Sequence, residues 1–381
     1  MRSRRHPGNA AKDKPRVFCS RPFKRFEISY VKGVGSAFMC CTGWLSRQIG
    51  DLRTQSVEEI WNGEAAQDIR RSILDGSFEF CNRSQCPYLE RVTGPVARIE
   101  DVKDPELNKV IAGKLTTVPY GPRELSFSYD RSCNLSCPSC REHVIVEIAG
   151  KDQILKIQEA LKSQALRDTH YIDITGSGDP FGSPYFRKWL QAMNAAEMPS
   201  LKSIHLHTNA QLWTPSMWQT IPAEIRKGIK STEISIDATC SETYALNRRG
   251  GSFETLIRNL DFIRTLRQDG PLGWMCISMV VQANNFTEMP AFVQLGKRYG
   301  VDRVLFSQLT NWGTFSGEEF KSRDVHDPHH PRYTEFTNLR RDDIFKDPVV
   351  RIHFQDVKPR PARLADPSTW FSFMRRTAGQ R

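Results

Sequence analysis

Residues 126–141 read SFSYDRSCNLSCPSCR, with Cys133, Cys137 and Cys140 separated by three and then two residues. Three thiolates so spaced can hold three irons of a cubane cluster. A [4Fe–4S] cluster ordinarily takes four Cys, so three on a tight loop leave one iron open to a small molecule. An open coordination position is what separates a catalytic metal site from a structural one. Zinc is the alternative, weakened by the lack of a fourth Cys or His close by. The loop leaves a strand-like segment in which Leu125, Phe127 and Tyr129 alternate with small or polar residues.

Downstream, short apolar strands alternate with amphipathic stretches of helical length. Strands are expected over 125–129, 171–175, 202–207, 233–237, 275–282 and 303–309, and helices over 153–163, 184–193, 215–221, 253–267 and 288–299. Six strand-helix units in succession imply an α/β fold with a parallel sheet and right-handed crossovers. Six are too few to close an eight-stranded barrel, so a partial (β/α)6 barrel is expected over residues 123–315, with residues 316–381 as a C-terminal extension. Ligands of such barrels lie at the carboxyl ends of the strands. After the second strand stand Gly176, Gly178 and Asp179, where glycines permit close backbone approach. Thr208 and Asn209 follow the third strand. Ser235 and Asp237 share one side of the fourth, Cys240 lies just past it, and Arg248, or Arg249 beside it, followed by Gly250-Gly251, offers a fork suited to a carboxylate.

Upstream, residues 16–95 form a first unit. Ser56-Val-Glu-Glu59 is a capping box opening a helix with Val57, Ile60 and Trp61, and Glu64 to Leu74 is a second helical run. Cys19, Cys40, Cys41, Cys81 and Cys86 bracket the unit, either Cys40 or Cys41 completing a set of four; zinc again is the alternative. Residues 96–122, punctuated by Asp104-Pro105 and Gly121-Pro122, are expected to be a linker.

The stretch Cys133-Asn-Leu-Ser-Cys-Pro-Ser-Cys140 resembles the cluster loop of the radical S-adenosylmethionine enzymes. The resemblance implies a catalytic [4Fe–4S] cluster on Cys133, Cys137 and Cys140 whose open iron takes the amino and carboxylate groups of S-adenosylmethionine, which then yields a 5′-deoxyadenosyl radical. That family usually has an aromatic residue before the third Cys; here it is Ser139. Gly176, Gly178 and Asp179 resemble the segment holding the amino group of S-adenosylmethionine, Thr208 and Asn209 a threonine-asparagine-glycine segment, and Ser235 and Asp237 the positions facing its ribose and methionine. Cys19, Gly35 and Cys40, with Cys81 and Cys86, resemble the auxiliary-cluster module known as SPASM, or twitch when shortened, which implies a second [4Fe–4S] cluster. Here the module precedes the barrel instead of following it. Substrate is then a small molecule or a peptide, the electron donor a flavodoxin or ferredoxin, and Cys240 a hydrogen donor if the reaction is an epimerisation.

The chain of 381 residues has ordinary globular composition. Its longest apolar run, 274–281, is too short to span a bilayer, and no apolar segment near Met1 suits a secretory signal, so a cytoplasmic protein is expected. The net charge of +11 resides in the tails: nine Lys or Arg against Asp13 over 1–25, and six against Asp366 over 358–381. Residues 1–15 are expected to be a basic disordered tail. The body is slightly acidic, which argues against a nucleic-acid groove and leaves an RNA-modifying enzyme as a weaker reading. A third reading is an iron–sulfur electron-transfer protein without turnover. No phosphate-cradling loop or dinucleotide fingerprint is present.

Overall fold

The structure, a computed structural model, describes residues 16–30 and 33–354. The basic tails expected at residues 1–15 and 358–381 lie outside the described residues. In chain order the strands are β1 (Val17–Cys19), β2 (Arg25–Ser29), β3 (Ser36–Phe38), β4 (Gly50–Asp51), β5 (Val96–Arg98) and β6 (Glu124–Ser128). They continue as β7 (Tyr171–Ile174), β8 (Ser203–Thr208), β9 (Ile229–Ser235), β10 (Trp274–Val281), β11 (Arg303–Gln308) and β12 (Val350–His353). β1 pairs antiparallel with β5. The other ten form one sheet in the order β12-β11-β10-β9-β8-β7-β6-β2-β3-β4.

From β6 to β12 each strand lies beside its successor and parallel to it. The intervening segments carry helices of the expected kind, Lys151–Gln164, Pro184–Ala192, Pro215–Gln219, Phe253–Gln268 and Met289–Arg298 among them. Their starts are chemically marked. Ser183 accepts from the amides of Tyr185 and Phe186 with Pro184 in the first turn, and Ser252 accepts from Thr255, as side-chain caps do for helix amides that lack an intrahelical acceptor.

The N-terminal unit is joined to the sheet: β2 pairs parallel with β6, Phe26 opposite Leu125 and Ile28 opposite Phe127. Residues 96–122 are not a bare linker, since they hold β5 and the helix Pro105–Gly113. Asp104-Pro105, which reads as a break, is a helix start: the Asp104 carboxylate accepts from the amides of Glu106 and Leu107, and proline occupies the first turn. The extension from residue 316 contributes a further parallel strand, β12, and the helices Gly317–Arg323 and Tyr333–Leu339. His326, one of its histidines, is buried with its ring 4.9 Å from that of Phe336 and 4.5 Å from that of Phe354.

The hydrophobic core crosses the boundary drawn between module and barrel. Phe26, Ile28, Ile60, Trp61, Leu125, Phe127, Ile157 and Ile172 belong to one buried cluster. Ile28→Ala should therefore cost about 2–5 kcal/mol and lower the unfolding of both parts together. In a urea titration followed by far-UV circular dichroism and tryptophan fluorescence, both signals should shift to lower urea; a transition of the parallel sheet β6–β12 at an unchanged midpoint would show that β2 is not part of its fold.

Candidate active site

Alternation along the strands gives the sheet two unlike faces. In β8, Ile204, Leu206 and Thr208 are buried while His205 and His207 are half-buried; in β9, Thr232 and Ile234 alternate with Ser231, Glu233 and Ser235. The polar side chains meet one another. Arg25 donates to Asp173 at 2.8 Å and to Glu27 at 3.3 Å, the small Ser126 lying between Glu27 and Asp173 in register. His205 Nδ1 lies 2.9 Å from Ser231 Oγ, and His207 Nε2 lies 2.9 Å from Ser235 Oγ, itself 3.4 Å from Ser278 Oγ. One face is thus a continuous polar row from β2 to β10, with the three-cysteine loop following directly on the carboxyl end of β6.

That loop is held from inside. The Asp130 carboxylate accepts from the Ser132 amide and hydroxyl and from the Ser183 hydroxyl. The amides of Cys140 and Arg141 both donate to the Cys137 carbonyl at 2.9 Å. Every thiol faces an N–H donor: the Leu135 amide (3.5 Å) and Asn209 Nδ2 (3.6 Å) reach Cys133, Arg248 Nη1 reaches Cys137 (3.7 Å), and Arg141 Nη2 reaches Cys140 (3.4 Å). Burial pushes the Cys133 thiol up to about 12 and raises Cys137 as well, with Arg248 opposing the rise at Cys137. A thiolate is therefore costly here until a metal takes its charge, and N–H donors aimed at sulfur are what a bound cluster uses. The residues fit such a group.

The residues after β7, β8 and β9 come together around this loop, though not in the roles expected for all of them. A Cβ at Gly178 would lie 2.5 Å from the Ser132 carbonyl oxygen and 2.8 Å from that of Asp130, and one at Gly176 would lie 2.5 Å from Ser128 Oγ. These glycines let the second loop press against the cysteine loop. Asp179 does not offer a free carboxylate: Oδ1 accepts from the amides of Phe181 and Gly182, and Oδ2 from Thr208 Oγ1 and the Asn209 amide. It ties the ends of β7 and β8 together, and so aims Asn209 at Cys133. Likewise Arg248 is already engaged, its Nη2 2.8 Å from Asp237 Oδ2 in a pair buried on both sides. Burial pushes the Asp237 carboxyl up, and the Arg248 guanidinium pulls it back. The Val280 amide donates to Asp237 at 2.7 Å.

Asp237 has a φ of +61°, and beyond it Cys240 stands at the N-cap position of the helix Ser241–Asn247, its half-buried thiol 3.5 Å from Thr243 Oγ1 and 3.8 Å from Glu288 Oε1. Arg141 was missed: it donates to Ser177 O at 2.6 Å, and its position directly after the third Cys was the one signal for it. Arg249, the alternative to Arg248 before Gly250-Gly251, donates from Nε to Ser136 Oγ at 3.1 Å.

Cys19, Cys40, Cys81 and Cys86 line a second cavity, walled by apolar side chains such as Trp44, Ile73 and Phe78. Cys40 lines the cavity and Cys41 does not. Burial pushes Cys19 and Cys81 up to about 12 and Cys40 to about 11, with neighbouring thiols adding to the rise at Cys19 and Cys81. Four thiols around an apolar cavity are a donor set of the kind an iron–sulfur cluster takes.

Residues 19–87 match the SPASM family, described as an iron-sulfur cluster-binding domain, so the chain carries this module where its cysteines predict it. No curated protein matches the chain. Among solved structures, SuiB of Streptococcus suis bound to S-adenosylmethionine is 18% identical, the match covering 66% of this chain and 53% of SuiB with a TM-score of 0.41. Native anSMEcpe with bound AdoMet and Kp18Cys peptide is 16% identical over 60% of this chain and 63% of its own, with a TM-score of 0.39. The radical S-adenosylmethionine methyltransferase TsrM from Kitasatospora setae is 11% identical over 47% of this chain and 35% of its own, at 0.35. The chain spans little more than half the length of SuiB in that match.

The Asp237–Arg248 pair can be tested on its own. Arg248→Met leaves a buried carboxylate unpaired and should cost about 3–5 kcal/mol, while Asp237→Asn combined with Arg248→Met should recover much of that loss. Urea midpoints of the single and double variants check this, and a double variant less stable than Arg248→Met alone would show that the pair is not the controlling interaction.

Proposed function

We propose that the chain is a radical S-adenosylmethionine enzyme in which Cys133, Cys137 and Cys140 hold a [4Fe–4S] cluster and Cys19, Cys40, Cys81 and Cys86 hold an auxiliary one. The observation that carries this reading is the three-cysteine loop itself: two buried thiols, Cys133 and Cys137, and the exposed Cys140, each met by an N–H donor from Leu135, Asn209, Arg248 or Arg141, at the carboxyl edge of a sheet whose polar face begins beside it. When bound, the cluster and S-adenosylmethionine supply a carbon radical that takes a hydrogen atom from the substrate.

The chain's own residues do the rest. Gly176 and Gly178 bring the backbone of the second loop against the cysteine loop, so the amino group of S-adenosylmethionine is met by backbone of residues 176–178 and not by the engaged Asp179 carboxylate. Thr208 and Asn209 are held by Asp179, and Ser235 stands on the polar face within reach of His207; these position cofactor and substrate at the barrel edge. Asp237 and Arg248 act through Cys137, keeping a positive charge beside that thiol. Strands in sequential order joined by right-handed crossovers put all their helices on one face, which leaves the polar row as the inner face of a partial barrel. A substrate lying there meets carboxylates, imidazoles and hydroxyls, as a polar small molecule or peptide requires, and the apolar walls of the auxiliary site exclude water from an electron relay. A flavodoxin or ferredoxin serves as reductant. No described helix is long and apolar enough to cross a membrane, and a cytoplasmic setting suits oxygen-sensitive clusters.

Protein reconstituted without oxygen should hold about eight irons, as two clusters of four, and should form 5′-deoxyadenosine from S-adenosylmethionine and dithionite. Changing Cys133, Cys137 and Cys140 together to Ala should abolish that product and roughly halve the iron, whereas Cys81→Ala with Cys86→Ala should spare it. Full deoxyadenosine formation by the triple variant would end the proposal, and none by the wild type would favour an electron-transfer protein.

A further inference from the structure

A [4Fe–4S] cluster on four thiolates carries net negative charge, and its potential is set by that charge, by hydrogen bonds to sulfur and by exposure to solvent. Reduction adds one more negative charge without making or breaking a bond. A nearby cation therefore stabilises the reduced cluster more than the oxidised one. At the cavity of Cys19, Cys40, Cys81 and Cys86, Arg21 is the one charged side chain among the lining residues. Its guanidinium carbon stands 5.3 Å from the centroid of the Tyr88 ring, which also lines the cavity. No carboxylate among the described residues forms an ion pair with it.

A further observation places positive charge at this site. Arg70 is fully buried. Arg70 Nε donates to the carbonyl of Pro22 at 2.9 Å, its Nη1 to Asn62 Oδ1 and the Thr116 carbonyl, and its guanidinium stacks 4.5 Å from the Trp61 ring. These partners are neutral, so the charge of Arg70 is left for the module's interior, in a setting where screening by water is weak.

We propose that Arg21, backed by Arg70, is the built-in countercharge of the auxiliary cluster and raises its reduction potential, which poises it to accept one electron from a substrate carbon radical held on the polar face of the sheet, the substrate being oxidised as the cluster is reduced. The proposal rests on the iron–sulfur reading of residues 19–87 and not on cofactor cleavage at the other loop. Arg21 is on this account a positioning residue: it acts through the cluster and touches no substrate.

The test is a redox titration followed by electron paramagnetic resonance, in full-length protein carrying Cys133→Ala, Cys137→Ala and Cys140→Ala so that only the auxiliary cluster is present. No S-adenosylmethionine is added, so the outcome is independent of whether the protein cleaves it. Arg21→Met should lower the midpoint by tenfold or more in the one-electron equilibrium constant, about 59 mV, and Arg21→Lys should keep most of the parent value. If Arg21→Met folds but holds no iron while Arg21→Lys loads fully, the charge requirement is supported by the loading itself. An unchanged midpoint in Arg21→Met overturns the proposal. Equal shifts in Met and Lys, or failure of both to load, overturn it too, because shape and not charge would then be the cause.

Discussion

A carboxylate taken out of water must be met on every side, and two such groups hold the functional edge of this sheet in place. Asp179 receives four hydrogen bonds from the loops after β7 and β8, and Asp237 receives the Val280 amide and the Arg248 guanidinium. An unpaired charge at either position would cost several kcal/mol, so the loops have little freedom to separate. The consequence reaches the thiols at once. Asn209, fixed by Asp179, points at Cys133, and Arg248, fixed by Asp237, points at Cys137. Both carboxylates therefore act at one remove, as supports for the donors that face sulfur.

The second organising feature is the difference between the two faces of the sheet. Ile204, Leu206, Ile234 and Phe127 join the helix-covered core, whereas His205, His207, Glu233 and Ser235 alternate with them on the other side. Parallel sheets covered on both faces read as continuous apolar runs; the alternation in β8 and β9 marks a sheet with one face kept for polar contact. Cys276 is fully buried, and the register of three strands sets it opposite Glu233 and Arg303.

The module is bound into this arrangement by ordinary hydrophobic packing. β2 extends the parallel sheet beyond β6, and Ile28 and Phe26 enter the same core as Leu125 and Phe127. Its cysteine cavity is joined to the polar face through β2, because Arg25 is among the charges acting on Cys40 and also pairs with Asp173. The two cysteine sites are thus parts of one folded body, with the polar row running between the strands that carry them.

Much of this was legible from residue type and spacing. Three Cys in eight residues, four more around a capped pair of helices, and the alternation that starts β6, β7, β8 and β9 are local signals, since thiol spacing, capping boxes and side-chain periodicity act within a few residues. Local signals also misled: Asp104-Pro105 read as a break and is a helix cap, because the same residues that stop one element start another. What the tertiary structure alone decided are pairings between residues far apart in the chain. The partnership of Arg248 with Asp237 depends on a fold that buries both, and the place of β2 and β12 in the sheet on hydrogen bonds to strands remote in sequence. A short polar or apolar run can specify that it will be a strand, but its neighbour is selected by the burial and backbone pairing available across the whole sheet, which no window of sequence contains.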